Sequence, residues 1–82
     1  MESLRSKKND NIYILYKDRI VVQTGTGIKE LTLPSNDYVC FHSIYYIQDK
    51  LFAILITGGS YDMRLEIDED TLDFTGSPIP TY

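Results

Sequence analysis

A cysteine and a histidine lie two residues apart in the middle of the chain, and they are the first residues whose types could support catalysis. In a β-strand, Cys40 and His42 would project from the same face, so the thiol could act as a nucleophile with the imidazole as its base. Apolar residues surround the pair, and a single cysteine in such a setting usually packs as a small hydrophobe. No glycine-rich turn follows that could form an oxyanion hole. We therefore predict no catalytic residue and no enzymatic activity.

Two further motifs have the residue types of ligand sites but not the required spacing. An EF-hand calcium loop needs oxygen ligands at alternate positions and a central glycine. Counting from Asp68, Leu72 occupies the fifth position and no glycine follows it. The segment Gly25-Thr26-Gly27 lacks the third glycine of a phosphate-binding loop, and no lysine followed by serine or threonine comes after it. We predict neither a metal site nor a cofactor.

The acidic residues are concentrated at the C-terminal end of the chain. Residues 61–82 contain six acidic side chains and one basic side chain, Arg64, in a chain whose net charge is −4. This charge repels phosphate backbones, so we expect no nucleic-acid partner. It would draw a protein with a basic surface into rapid association. The ordinary alternative is that the acids only keep the protein soluble.

The seven tyrosines are a second indication of a binding surface. Tyr45 and Tyr46 are adjacent, and adjacent residues of a strand face opposite ways, so one of them should be exposed. Tyrosine is common at interfaces because it offers a large rigid area with a polar tip. In a chain without tryptophan, tyrosines can equally fill the core. We predict a binding surface that comprises Tyr45, Tyr46, Tyr61, Asp62, Glu66, Asp68, Glu69, Asp70 and Asp73.

Strands must position these residues, because apolar positions nowhere keep a helical spacing for three turns. In residues 61–67 the odd positions are apolar and the even positions are charged, which predicts a strand with one buried face and one wet face. Glycine, proline, asparagine and aspartate separate similar segments. The pattern predicts an all-β fold, an antiparallel meander of six to seven short strands. The predicted strands are 12–16, 19–24, 28–33, 38–47, 51–57, 61–67 and 72–74.

The chain length allows one domain with one core. We expect a flexible polar leader at residues 1–11, a single all-β domain at 12–76 and an extended tail at 77–82. The most apolar region, 38–57, is interrupted by Gln48-Asp49-Lys50, which indicates a hairpin and not a membrane span. Cys40 is the only cysteine, so no disulfide can form within the chain, and we expect a cytoplasmic protein.

Four short motifs recur at offsets of 31 to 34 residues, which indicates an internal repeat. The matches are Ile12-Tyr13 with Ile44-Tyr45, residues 17–20 with 48–51, Thr24-Gly25 with Thr57-Gly58, and Leu31 and Leu33 with Leu65 and Ile67. Each half would be a meander of the kind that forms a propeller blade, and two such blades would pack as a sandwich or small barrel. Short meanders also resemble one another without any duplication.

Two functions fit these observations. The first is a small acidic, non-enzymatic binding protein of the inhibitor or immunity type, which acts through protein–protein interaction. The alternative is a homo-oligomer that binds a ligand or carbohydrate and contributes two blade-like repeats per chain. The absence of tryptophan, a common sugar-stacking residue, counts against the alternative.

Overall fold

A computed structural model describes residues 2–59 and 61–81. They form eight strands in two antiparallel sheets and no helix, so the predicted all-β fold is confirmed. None of these residues belongs to a helix long and apolar enough to cross a membrane. The strands are β1 (Glu2–Arg5), β2 (Ile12–Leu15), β3 (Arg19–Thr24), β4 (Gly27–Thr32), β5 (Tyr38–Ile47), β6 (Lys50–Thr57), β7 (Met63–Asp68) and β8 (Asp73–Pro80).

Each sheet is a meander in which strands that are consecutive in sequence are neighbours in space. The first sheet has the order β1-β2-β3-β4 and the second has the order β5-β6-β7-β8. Short turns impose this order, because two antiparallel strands joined by a tight turn pair with each other. In the β5–β6 turn, Gln48 and Asp49 both have positive φ angles, of 49° and 67°. Two consecutive positive φ values are typical of a type I′ turn, whose twist matches that of the paired strands.

The N-terminal residues do not form the separate leader that their polarity predicted. Glu2–Arg5 pairs with β2, and Leu4 lies opposite Tyr13. Leu4 is half-buried against the core, and the Ser6 amide donates to the Asn11 carbonyl at 2.9 Å. An edge strand needs only main-chain hydrogen bonds and one apolar anchor, so it leaves little periodicity in the sequence. This strand brings the total to eight instead of the predicted six to seven.

The C-terminal residues 77–80 were expected in an extended tail, and they continue strand β8. Gly76, Pro78 and Pro80 are compatible with this strand because it lies at the edge of the sheet, where one side of the backbone needs no partner. The register shifts between Arg64 and Glu66, which pair with Ile79 and Thr75. Prolines and an irregular register both discourage further strand pairing at this edge.

One hydrophobic core lies between the two sheets. The first sheet contributes Tyr13, Leu15, Ile20, Val22 and Leu31, and the second contributes Phe41, Ile44, Leu51, Ala53, Leu55, Leu65 and Ile67. Leu65 and Ile67 are buried while Arg64 and Glu66 lie on the opposite face, as the alternation in β7 predicted.

Strand β5 joins the sheets through its backbone. The Phe41 amide donates to the Lys17 carbonyl at 2.8 Å, and the Ile44 amide donates to a Glu2 carboxylate oxygen at 3.4 Å. The register with β6 shifts twice, between Tyr38 and Cys40 and between Phe41 and Ser43. These irregularities are β-bulges, which bend a strand. They bring the buried Phe41 and Ile44 onto the core side, although residues three positions apart face opposite ways in a regular strand.

The motifs of the predicted repeat fall on β2–β4 and β5–β7, so β1 and β8 lie outside it. Both 17–20 and 48–51 contain the turn between the first two of these strands. The strand motifs agree less well, because Tyr13 is fully buried whereas Tyr45 is 38% exposed. The repeat therefore stays a prediction.

Candidate functional site

Glu69, one of the predicted binding residues, lies at the centre of a cluster of hydroxyl groups. Its Oε1 atom accepts hydrogen bonds from Ser6 Oγ at 2.7 Å, Tyr46 OH at 2.9 Å and Tyr13 OH at 3.1 Å. Ser6 follows β1, Tyr13 belongs to β2, Tyr46 to β5 and Glu69 to the β7–β8 turn. One carboxylate oxygen thus links both sheets, and we call these four residues the hydroxyl cluster.

The hydroxyl cluster also orders the β1–β2 loop. Ser6 Oγ accepts the amides of Lys8 at 3.0 Å and Asn9 at 3.1 Å. The Tyr46 hydroxyl accepts the Lys7 amide at 2.9 Å, and the Lys7 ammonium lies 4.8 Å from the centroid of the Tyr46 ring. Tyr46 and Glu69 are therefore engaged in contacts within the chain. They have a structural role, whether or not they also bind a partner.

The pKa values of both tyrosines rise in this environment. Burial raises the pKa of Tyr13, and the Glu69 carboxylate beside it raises it further. Burial is also the main cause of the raised pKa of Tyr46. Each phenol consequently keeps its proton to a higher pH than an ordinary tyrosine and donates it in a hydrogen bond to Glu69.

An acidic cleft lies next to the hydroxyl cluster, between the β5–β6 turn and the β7–β8 turn. It encloses about 230 Å³. Glu66, Asp68 and Asp70, three of the predicted binding residues, line this cleft together with Asp49. The lining residues are Lys8, Asp49, Lys50, Leu51, Glu66, Ile67, Asp68, Glu69 and Asp70.

The acidic side chains of the cleft differ in how many cations and hydrogen-bond donors of the same chain contact them. Asp70 pairs with the Lys8 ammonium at 2.7 Å, and the same contact raises the pKa of Lys8. Asp68 Oδ1 accepts the amides of Asp70 and Thr71, at 2.9 and 3.2 Å, and so shapes the turn. Asp49 is 94% exposed, with Lys7 at 4.0 Å. Within residues 2–59 and 61–81, Glu66 forms no salt bridge.

The remaining predicted residues lie elsewhere. Asp73 binds Lys29 of the first sheet, with a Nζ–Oδ1 distance of 3.1 Å. Tyr61 is 53% exposed beyond the other end of β7. Asp62 follows it, and its carbonyl accepts the Thr81 amide at 3.0 Å. The nine predicted residues therefore do not form one continuous surface.

A second surface, which the sequence interpretation missed, is the side of the second sheet that faces away from the core. Tyr45 lies opposite Phe52, which lies opposite Glu66, and Glu66 lies opposite Thr75. The next row runs through Ser43, Ile54, Arg64 and Ile79. We call these eight residues the outer face. The signal was hidden because β6 is apolar at nearly every position, so it shows no alternation.

The outer face is more apolar than a solvated sheet requires. Ile54 is only 7% exposed although it lies outside the core cluster, whereas Tyr45 and Ile79 are 38% and 44% exposed. The Arg64 guanidinium lies 5.5 Å from the centroid of the Phe52 ring. Its buried Nε atom has no hydrogen-bond partner among the described residues.

The Cys40–His42 pair lines a cavity of about 610 Å³ where the two sheets meet. Leu15, Phe41 and Ile56 form its apolar wall, and Glu2, Tyr16 and Lys17 complete the lining. His42 is exposed, and its Nδ1 atom lies 3.3 Å from Ser43 Oγ. No hydrogen bond joins the Cys40 thiol to the His42 ring in the described structure.

In residues 2–59 and 61–81, no three histidine, cysteine or acidic side chains are arranged to hold a metal ion. In comparisons with known proteins, the chain matches no family model, no curated protein and no solved structure.

Proposed function

We propose that this chain is a non-enzymatic, cytoplasmic binding protein that accepts a lysine or arginine side chain of another protein in its acidic cleft. The observation that carries the proposal is the cleft itself, where five carboxylates and only two ammonium groups surround about 230 Å³. A long basic side chain can place its charge there, where its N–H groups can donate charge-assisted hydrogen bonds to the carboxylates.

Two carboxylates are the main candidates for direct contact with the partner. Glu69 is occupied by three hydroxyl donors and Asp70 by Lys8. Asp49 and Glu66 are the acids of the cleft with the weakest neutralisation inside the chain. Because exposed charges act mainly on the rate of encounter, a partner should associate more slowly as salt rises.

The test compares neutralised variants of the immobilised protein as capture reagents in a cell extract. The double variant Asp49→Asn, Glu66→Gln should retain at least tenfold less of the captured partner than the unchanged protein. The matched control, Asp10→Asn, Asp18→Asn, removes the same charge from exposed positions outside the cleft and should capture normally. Equal loss in both double variants would show that only net charge matters, and equal capture by all three proteins would refute the proposal.

The 610 Å³ cavity favours a second candidate, the binding of a small ligand between the two meanders. Its volume and its mixture of apolar wall and few polar groups are typical of ligand sites. Tyr16 and His42 would supply the polar contacts. Protection of the Cys40 thiol from alkylation by a bound molecule, without any effect of the Asp49 and Glu66 substitutions, would identify this function instead.

A further inference from the structure

The outer face of the second sheet is complementary to itself. The row Ile44, Ala53 and Leu65 crosses the sheet between the two rows of the outer face. On one side of this line lie Tyr45, Phe52 and Glu66, and on the other side lie Ser43, Ile54 and Arg64. Consider two copies packed face to face about a two-fold axis that lies in the interface, parallel to this row. The first side of one copy then lies opposite the second side of the other copy, so unlike residues face each other.

The contacts that this symmetry produces are favourable in charge. Arg64 of one copy faces Glu66 of the other, and the reverse contact occurs on the other side of the axis. The outer face contains only these two charges, so it is locally neutral in a chain whose net charge is −4. Self-association through this face therefore meets less electrostatic repulsion than association through the acidic turns would meet.

The same symmetry matches residues in size. Tyr45 faces Ser43, and Phe52 faces Ile54, so large side chains alternate with smaller ones across the interface. Inner faces of packed sheets interdigitate in this way. Packed sheets are rotated by about 30° relative to each other, which separates their rims. At one rim, Lys50 and Asp68 line the same cleft, so the charges there are mixed.

We propose that the outer face is a homodimer interface in which a second copy of this chain packs face to face about an axis along Ile44, Ala53 and Leu65. The eight residues cover roughly 20 × 14 Å, from four strands about 4.8 Å apart and two rows of side chains about 7 Å apart. That area is smaller than the interface of a standard-size complex. The dimer is accordingly a weak one, with a dissociation constant on the order of 100 µM.

Sedimentation equilibrium from about 10 µM to about 1 mM protein tests the dimer, because this range brackets a dissociation constant on the order of 100 µM. The unchanged chain should shift from monomer to dimer across the series. Arg64→Glu places two carboxylates opposite each other, Glu66→Arg places two guanidinium groups opposite each other, and each should weaken association at least tenfold. The double variant Arg64→Glu, Glu66→Arg restores opposite charges across the axis and should restore the dimer.

The control is Arg5→Glu, which changes the net charge by the same amount as Arg64→Glu on a strand of the other sheet. It should dimerise like the unchanged chain. Circular dichroism verifies that each variant is folded. If Arg64→Glu does not fold, the dimer is tested with Glu66→Arg. A monomer at all concentrations, undiminished association of the folded single variants, or a folded double variant that stays monomeric would each overturn the proposal.

Discussion

Among single residues, Glu69 has contacts that reach furthest along the chain. Its Oε1 atom accepts the Ser6 hydroxyl, 63 residues away, and the Tyr13 hydroxyl, 56 residues away. A buried hydroxyl without an acceptor costs about 1–3 kcal/mol. Since Tyr13 is fully buried, the carboxylate satisfies a group that water does not reach. The acidic character of the β7–β8 turn thus has a structural cause at Glu69. Asp49, and Glu66 in the monomer, are available for a partner.

The raised pKa of Tyr13 makes stability depend on alkaline pH. Its pKa in the folded chain lies above the ordinary value of 10.0, so the folded state holds the proton more tightly than the unfolded state does. The stabilisation is complete below pH 10 and decreases as pH rises above it. We expect the free energy of unfolding, measured with urea from pH 9 to 12, to fall less steeply in Tyr13→Phe than in the unchanged protein.

Tyr16→Phe is the control for this titration, because Tyr16 is 42% exposed and lies outside the hydroxyl cluster. Its pH profile should follow that of the unchanged protein. Identical profiles for all three proteins would contradict the assignment of a shifted pKa to Tyr13.

Among the elements, the β5–β6 hairpin has two consecutive residues with left-handed φ angles, whereas the β7–β8 turn has one, Leu72. Gln48 and Asp49 adopt left-handed φ angles, which cost little only for glycine. The strain is tolerated because β5 and β6 are the longest paired strands and enclose the core residues Leu51 and Ala53. It holds Asp49 at the rim of the acidic cleft.

Relief of this strain should stabilise the fold. Asp49→Gly is expected to raise the free energy of unfolding by about 0.5–1 kcal/mol, because glycine adopts the second position of a type I′ turn without steric cost. Asp18→Gly, in the β2–β3 turn, should instead lower it by about 0.5–1 kcal/mol, since Asp18 is not among the residues with positive φ. Chemical denaturation measures both. A destabilised Asp49→Gly variant would disprove the strain at this turn.

At the scale of the whole molecule, the shared core couples the two meanders. Buried residues of both sheets belong to a single hydrophobic core cluster. The hydroxyl cluster and the Phe41–Lys17 backbone bond add polar connections between the sheets. We therefore expect the two sheets to unfold as one cooperative unit.

A mild core substitution in one sheet tests this coupling. Ile20→Val, in the first sheet, should cost about 0.5–1.5 kcal/mol because Ile20 is fully buried. Amide hydrogen exchange should then lose protection by the same amount in β3 and in β6. Ile28→Val is the control, since Ile28 is 70% exposed and should leave exchange unchanged. Loss of protection confined to β3 would mean that the sheets unfold independently.

Local pattern in the sequence was enough to predict the strands of residues 12–74 and the two faces of β7. Alternation has a period of two, so the burial of Leu65 and Ile67 opposite Arg64 and Glu66 follows from neighbours in the chain. The turns at 25–26 and 48–49 follow equally from local residue preferences.

Only the tertiary structure decided which distant groups meet. Contacts between Glu69 and Ser6 or Tyr13 depend on how the sheets pack, and no local preference of a carboxylate selects a hydroxyl some 60 residues away. Strand β1 is held by main-chain bonds to β2, which any residue except proline can form, so its polar sequence did not reveal it. The outer face likewise emerged only from the register, because the continuous apolar run of β6 does not show which of its residues face the core and which face away from it.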